Sequence, residues 1–151
     1  MANVLDVEFE RMDGEATTLR KLGEKGASQW VVANVASACG FTRQYQGLQD
    51  LSTRDDVVVV GFPCNQFGAQ EPGTHEEICS FTESKFGVDF PLMAKVEVKG
   101  ENMIPLFKIL SESADSSGYS GEIRWNFAKF VIDSAGQITR FTSRDEPEDL
   151  L

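Results

Sequence analysis

The chain has 151 residues, 41% of them hydrophobic, and a formal net charge of −10, which fits one hydrophobic core in a single domain over residues 1–151 and excludes a disordered chain. So acidic a surface repels phosphate backbones and anionic head groups, so neither nucleic acid nor stable membrane binding is expected. Three cysteines, Cys39, Cys64 and Cys79, with the single histidine His75, form no CxxC pair and no four-ligand set, so no metal is expected.

The start of the chain, MANVLDVEFERMDG, is acidic and alternating and carries no signal-peptide pattern, so a cytoplasmic protein is expected. Residues 4–9 alternate, Asp13-Gly14 signals a tight turn, and 16–19 can return as a second strand; together they predict an N-terminal β-hairpin. Residues 29–36 (QWVVANVA) are an apolar run rich in β-branched side chains and predict a buried central strand. After the loop SACGF, residues 42–53 predict a helix that turns Tyr45, Leu48 and Leu51 inward. Residues 56–62 (DVVVVGF) predict a second buried strand, ended by Pro63.

Thr74 and Glu77 have capping-box spacing, which predicts a helix over about 75–85 with Ile78, Phe81 and Thr82 toward the core. Residues 94–98 (AKVEV) predict a strand, and Pro105 opens a helix to about Glu112. A polar loop at 113–122 precedes a hairpin of strands 126–132 and 137–142. The order is that of an α/β sheet covered on both faces. At the end, PEDLL reads as the first turn of a helix, which by itself is far below the roughly 12 residues an isolated helix needs. The expectation is a C-terminal helix cut short.

Cys39 follows a buried strand and precedes a helix, where α/β sheets place their sites. Backbone amides and the positive helix end favour a thiolate there, and Gly40 leaves room for a substrate. The bland alternative is an inert cysteine filling a small hole. The loop 62–73 (FPCNQFGAQEPG) would arrive beside it on a parallel neighbour strand, offering neutral amide donors, although such a loop is also an ordinary turn. Trp125-Asn126 begins a strand; a buried indole N–H needs a partner, and a thiolate would serve.

The blocks N-V-A-S-x-C-G-F-T at 34–42, G-F-P-C-N-Q-F-G-x-Q-E-P-G at 61–73 and W-N-F-x-K-F at 125–130 resemble the three signature blocks of the glutathione peroxidases, in that order. The resemblance runs from about residue 5 to 146. It implies a thioredoxin-like fold, a central mixed sheet flanked by helices, and a thiol-dependent peroxidase that reduces hydrogen peroxide and organic or lipid hydroperoxides. Cys39 occupies the peroxidatic position, which some members fill with selenocysteine; whether cysteine is native there stays open. Gln70, Trp125 and Asn126 match its hydrogen-bonding partners. The implied reductant is an external thiol, glutathione or thioredoxin, with no bound cofactor.

The family's resolving cysteine is replaced here by Thr82, and Cys79 lies three residues earlier. Three readings stand: Cys79 is a shifted resolver, an external thiol attacks the Cys39 sulfenic acid directly, or Cys79 and Cys64 are merely small buried residues. The short loop 113–122 lacks the insertion of tetrameric members and resembles the monomeric branch. Two other functions compete with the peroxidase: a redox relay passing a disulfide from Cys39 to a partner protein, and a silent binding module.

Overall fold

A computed structural model describes residues 3–37, 40–69 and 71–151. Its centre is a four-stranded sheet in the order β4-β3-β5-β6, with β3 at Gln29–Val35, β4 at Val57–Pro63, β5 at Lys129–Asp133 and β6 at Ile138–Phe141. Strands β3 and β4 are parallel, from Gln29 opposite Val57 to Val35 opposite Pro63, while β5 pairs antiparallel with β3 and β6 antiparallel with β5. Because side chains alternate along a strand, β3 feeds two cores at once. Trp30 and Val32 pack on one face with Phe62, Phe130, Leu106, Phe107 and Leu110. Val31, Ala33 and Val35 pack on the other with Tyr45, Leu48, Leu51 and Phe127. Burying each such side chain contributes about 1.5–3 kcal/mol, which is why these valine-rich runs become the centre of the sheet.

Helices cover both faces. A single turn, α1, spans Leu19–Leu22; α2 spans Gln44–Ser52, with Tyr45, Leu48 and Leu51 buried as their spacing predicts; α3 spans His75–Phe86; α4 spans Pro105–Ser111. The start of α3 is fixed by both bonds of its capping box, Glu77 N to Thr74 Oγ1 and Thr74 N to Glu77 Oε1. Ile78 and Thr82 are buried on α3 and Phe81 is half-buried. No helix among the described residues is long and apolar enough to cross a membrane.

Four expectations need correction. The N-terminal hairpin exists but is two residues per strand, β1 at Phe9–Glu10 and β2 at Ala16–Thr17, because Asn3 caps a 3-10 turn over Val4–Asp6 through its Oδ1 and the Leu5 amide. Residues 94–98 form no strand: their amides go to Glu10 O, His75 Nε2, Pro63 O and Gln66 Oε1, so no single neighbour supplies a ladder. The C-terminal hairpin begins at Lys129 rather than 126, since Phe127 has a left-handed backbone (φ 61°) that no strand tolerates. The helix α2 begins at Gln44, two positions later than 42 and so further along the chain from Cys39.

The C-terminal turn at Pro147–Asp149 is held by packing instead of helix length. Pro147 lies on Gly47 of α2 so closely that a Cβ there would sit 2.8 Å from the proline ring. Leu150 is buried in the second core, and Arg43 pairs with Glu146 at 2.8 Å.

Candidate active site

The parallel pairing of β3 and β4 delivers the loops that follow both strands to the same end of the sheet. Three short motifs far apart in sequence meet there. Asn34, fully buried, donates through Nδ2 to Trp125 O at 3.0 Å, and its own carbonyl accepts the Phe127 amide at 2.6 Å. Asn126 is fully buried, with Nδ2 3.5 Å from Phe67 O. Phe67 and Trp125 face each other with ring centroids 5.7 Å apart. Glu71 accepts the Ser37 amide at 3.1 Å. The loop from 36 to 42 is closed on itself by Thr42 Oγ1, which donates to Ala36 O at 2.9 Å. Each of the three motifs is thus bonded to both of the others.

Of the residues predicted to form the site, Trp125 and Asn126 are placed here together, whereas Cys39 and Gln70 lie outside the described residues. Trp125 is 36% exposed, the only large hydrophobic side chain so exposed among the described residues. Its indole N–H makes no hydrogen bond among them, so it is open to a partner. A Cβ added to Gly40 would meet nothing within 4 Å, in keeping with room at this loop.

Two backbone positions next to the expected site residues break the local rules. Ala69, before Gln70, has φ 52°, and Phe127, after Asn126, has φ 61°. These are the only non-glycine residues with positive φ among those described. A left-handed conformation costs a non-glycine residue of order 1–3 kcal/mol and is retained where the surroundings impose it. At Phe127 the surroundings are explicit: its ring is fully buried edge-on to Tyr45 at 5.3 Å.

The buried polar groups here are under electrostatic strain as well. Burial pushes the Glu71 carboxyl above its ordinary value, against the pull of Ser37 and Lys95. Burial and the nearby Glu71 push the Tyr45 hydroxyl well up. Lys129, from the third motif, is fully buried, and burial lowers its pKa from 10.5 to about 8. Its Nζ donates to Gln44 Oε1 at 2.6 Å and Ser143 O at 3.2 Å, tying β5 to the first turn of α2. Among the described residues no three His, Cys, Asp or Glu side chains gather closely enough to hold a metal.

The two described cysteines differ. Cys64 is buried, its thiol directed at Gln66 Oε1 at 3.5 Å and its pKa raised chiefly by burial. Cys79 is exposed rather than a buried small residue, with Sγ 3.5 Å from Met12 Sδ of the N-terminal hairpin; desolvation and Glu83 raise its pKa. Thr82 points inward and donates to Ile78 O at 3.0 Å.

Beside Trp125 runs an open groove of about 490 Å³. Phe41, Phe141 and Ala128 supply its apolar wall; Arg124, Arg140, Arg144 and Asp115 supply charge, and Arg124 and Arg144 are in no ion pair among the described residues. The Arg124 guanidinium lies over the Tyr119 ring, with Cζ 3.4 Å from its centroid. Sequence reading missed this groove and missed Glu71. The arginines are scattered over 21 positions of an acidic chain, and Glu71 hides inside a motif whose glutamine draws the attention.

The sequence model of the family described as glutathione peroxidase matches residues 4–111. The hydroperoxy fatty acid reductase of Synechocystis sp. is 44% identical over 148 residues, covering 92% of this chain and 86% of that protein. A glutathione peroxidase-like peroxiredoxin of Schizosaccharomyces pombe is 44% identical over 154 residues, covering 99% and 95%. Among solved structures, the crystal structure of Trgpx in apo form superposes with a TM-score of 0.74 at 32% identity, covering 99% of this chain and 90% of that one. With the sheet order above, these similarities make the fold thioredoxin-like.

Proposed function

Because the chain belongs to the glutathione peroxidase family, whose chemistry is thiol-dependent reduction of peroxides, we propose that Cys39 is its peroxidatic residue and that Gln70, Trp125 and Asn126 are the donors around it. The observation that carries this reading is the meeting of the three motifs: Trp125 is bonded to Asn34 at the end of β3, Asn126 to Phe67 in the loop that carries Gln70, and that loop to Ser37 through Glu71. The Cys39 thiolate attacks the terminal oxygen of a hydroperoxide. An S–O bond forms as the O–O bond breaks, the departing alkoxide takes up a proton, and a sulfenic acid remains. Neutral donors suit both ends of this step, since they stabilise the thiolate and the charge that develops on the leaving oxygen without a competing anion.

An external thiol, glutathione or thioredoxin, then attacks the sulfenic sulfur and releases water; a second thiol frees Cys39. This route is favoured over Cys79 by the raised pKa of Cys79 and its contact with the hairpin at Met12. The groove beside Trp125 supports a substrate class as well. An apolar wall ending in two unpaired guanidinium groups suits an acyl chain with an anionic group, such as a hydroperoxy fatty acid. A monomer is the proposed state, because loop 113–122 folds onto its own chain: Arg140 Nη1 donates to the carbonyls of Ser111, Ser113 and Gly121.

The test is peroxide consumption with glutathione and, separately, with thioredoxin, for the parent protein, Cys39→Ser and Cys79→Ser. Cys39→Ser is expected to be inactive and Cys79→Ser to turn over normally. Activity surviving in Cys39→Ser would sink the assignment, and loss of turnover in Cys79→Ser would make Cys79 the resolver. With a fatty-acid hydroperoxide, Arg124→Ala/Arg144→Ala is expected to raise KM while hydrogen peroxide turnover is retained.

A further inference from the structure

One polar pair outside the four expected site residues joins the loops that carry Cys39 and Gln70. Glu71 follows Gln70 in the chain, and Ser37 stands two positions before Cys39. The Glu71 side chain is fully buried. Its Oε1 accepts the Ser37 amide at 3.1 Å, and its own amide donates to Asn65 Oδ1 at 2.9 Å. Its second oxygen, Oε2, is buried with no hydrogen-bond partner among the described residues, and so is the hydroxyl of the nearby Tyr45.

Stability does not account for a carboxyl in this place. A leucine of similar size would fill the space without stranding an oxygen away from water. What the carboxyl supplies is one acceptor, aimed at the amide that leads into the Cys39 loop. We propose that Glu71 is a positioning residue of the peroxidase: its bond to the Ser37 amide holds the loop of Cys39 against the loop of Gln70 in the arrangement that attacks peroxide. The inference rests on Cys39 being the peroxidatic residue. Burial raises the Glu71 pKa, which lessens the anionic charge it sets against the Cys39 thiolate.

The sign of the stability effect follows. A carboxyl whose folded pKa lies above its ordinary 4.5 binds its proton more tightly in the folded state, so stability falls as pH rises from 4.5 through the folded value. Glu71→Gln removes that dependence and keeps an Oε1 acceptor.

The experiment is stopped-flow oxidation of the reduced protein by hydrogen peroxide, together with the pH profile of Cys39 alkylation followed by peptide mass spectrometry. Glu71→Leu is expected to slow oxidation by about 10²-fold and to move the alkylation profile to higher pH. Glu71→Gln is expected to rescue the rate to within about threefold of the parent. The proposal is overturned if folded Glu71→Leu is oxidised at the parental rate, if its alkylation profile does not move, or if Glu71→Gln is as slow as Glu71→Leu. Should Glu71→Leu fail to fold, Glu71→Asp carries the test, since its carboxyl falls one methylene short of the Ser37 amide; a parental rate there overturns the proposal. Cys39→Ser is run alongside, and peroxide consumption by it refutes the peroxidatic reading itself, separately from Glu71.

Discussion

The two ends of the central sheet follow different rules. At the end where β5 turns into β6, each local preference is met. Asp133 Oδ1 accepts the amides of Ala135 and Gln137, both at 2.9 Å, and the one left-handed residue is a glycine, Gly136 at φ 84°. Ser28 N donates to Asp56 O to close the same end beside β3 and β4. At the opposite end the left-handed residues include two that are not glycine, Ala69 and Phe127, and Asn34 Oδ1, Tyr45 Oη and Glu71 Oε2 are buried without partners among the described residues. A chain able to place glycine and aspartate correctly at one end has no folding reason to fail at the other. The strain is concentrated in the loops that carry the proposed site residues, which is where strain kept for function is expected.

The strongest way to break this contrast is to remove what imposes the strain. Phe127→Ala deletes a fully buried ring packed edge-on to Tyr45 and is expected to cost about 3–5 kcal/mol of stability in denaturant unfolding. It also frees the backbone that aims Asn126, so peroxidase activity should fall further than the fraction unfolded explains. If activity merely tracks the folded fraction, the left-handed turn is a packing accident.

The contrast also explains what the sequence could and could not reveal. The ordinary half of the molecule was legible. Valine-rich runs announced β3 and β4, the Thr74–Glu77 spacing announced α3, and Tyr45, Leu48 and Leu51 announced the inner face of α2. These features depend on residues near one another in the chain. The three motifs were legible as a resemblance, and the structure brings them together, but the bonds that hold them were not legible. Glu71 reaches Ser37 across 34 positions and Lys129 reaches Gln44 across 85. No periodicity encodes such pairs, and no turn preference foretells phenylalanine in a left-handed conformation. The expected strand at 94–98 failed for the same reason: its alternation was real, but tertiary partners divided its amides among four acceptors.

Lys129 sharpens the comparison through pH. Its folded pKa of about 8 lies below the ordinary 10.5 because burial disfavours the charge, so between those values the unfolded chain binds more protons. Stability therefore rises with pH across that window, by at most about 3 kcal/mol. Measured against Lys129→Met, which has no such proton, the parent should gain stability from pH 7.5 to 10.5. A constant difference between the two proteins would show that Lys129 is not held in a charge-disfavouring site.

The smallest effects are the most discriminating, because they compare one backbone conformation at the two ends. Gly136→Ala forces a left-handed alanine into the ordinary end, where its Cβ would also press on the Asn3 side chain at 2.5 Å. It should cost about 1–2 kcal/mol and leave peroxide reduction per folded molecule unchanged. Ala69→Gly makes the reverse exchange at the strained end. Relief of the left-handed alanine should offset or exceed the added freedom of the unfolded chain, raising stability by up to about 1 kcal/mol. Its activity should nevertheless fall, since a glycine before Gln70 no longer fixes the direction in which that side chain leaves the loop. A more stable and less active Ala69→Gly, set beside a less stable and equally active Gly136→Ala, would separate the two ends by function. Equal activity in both variants would mean that the strain at Ala69 serves the fold alone.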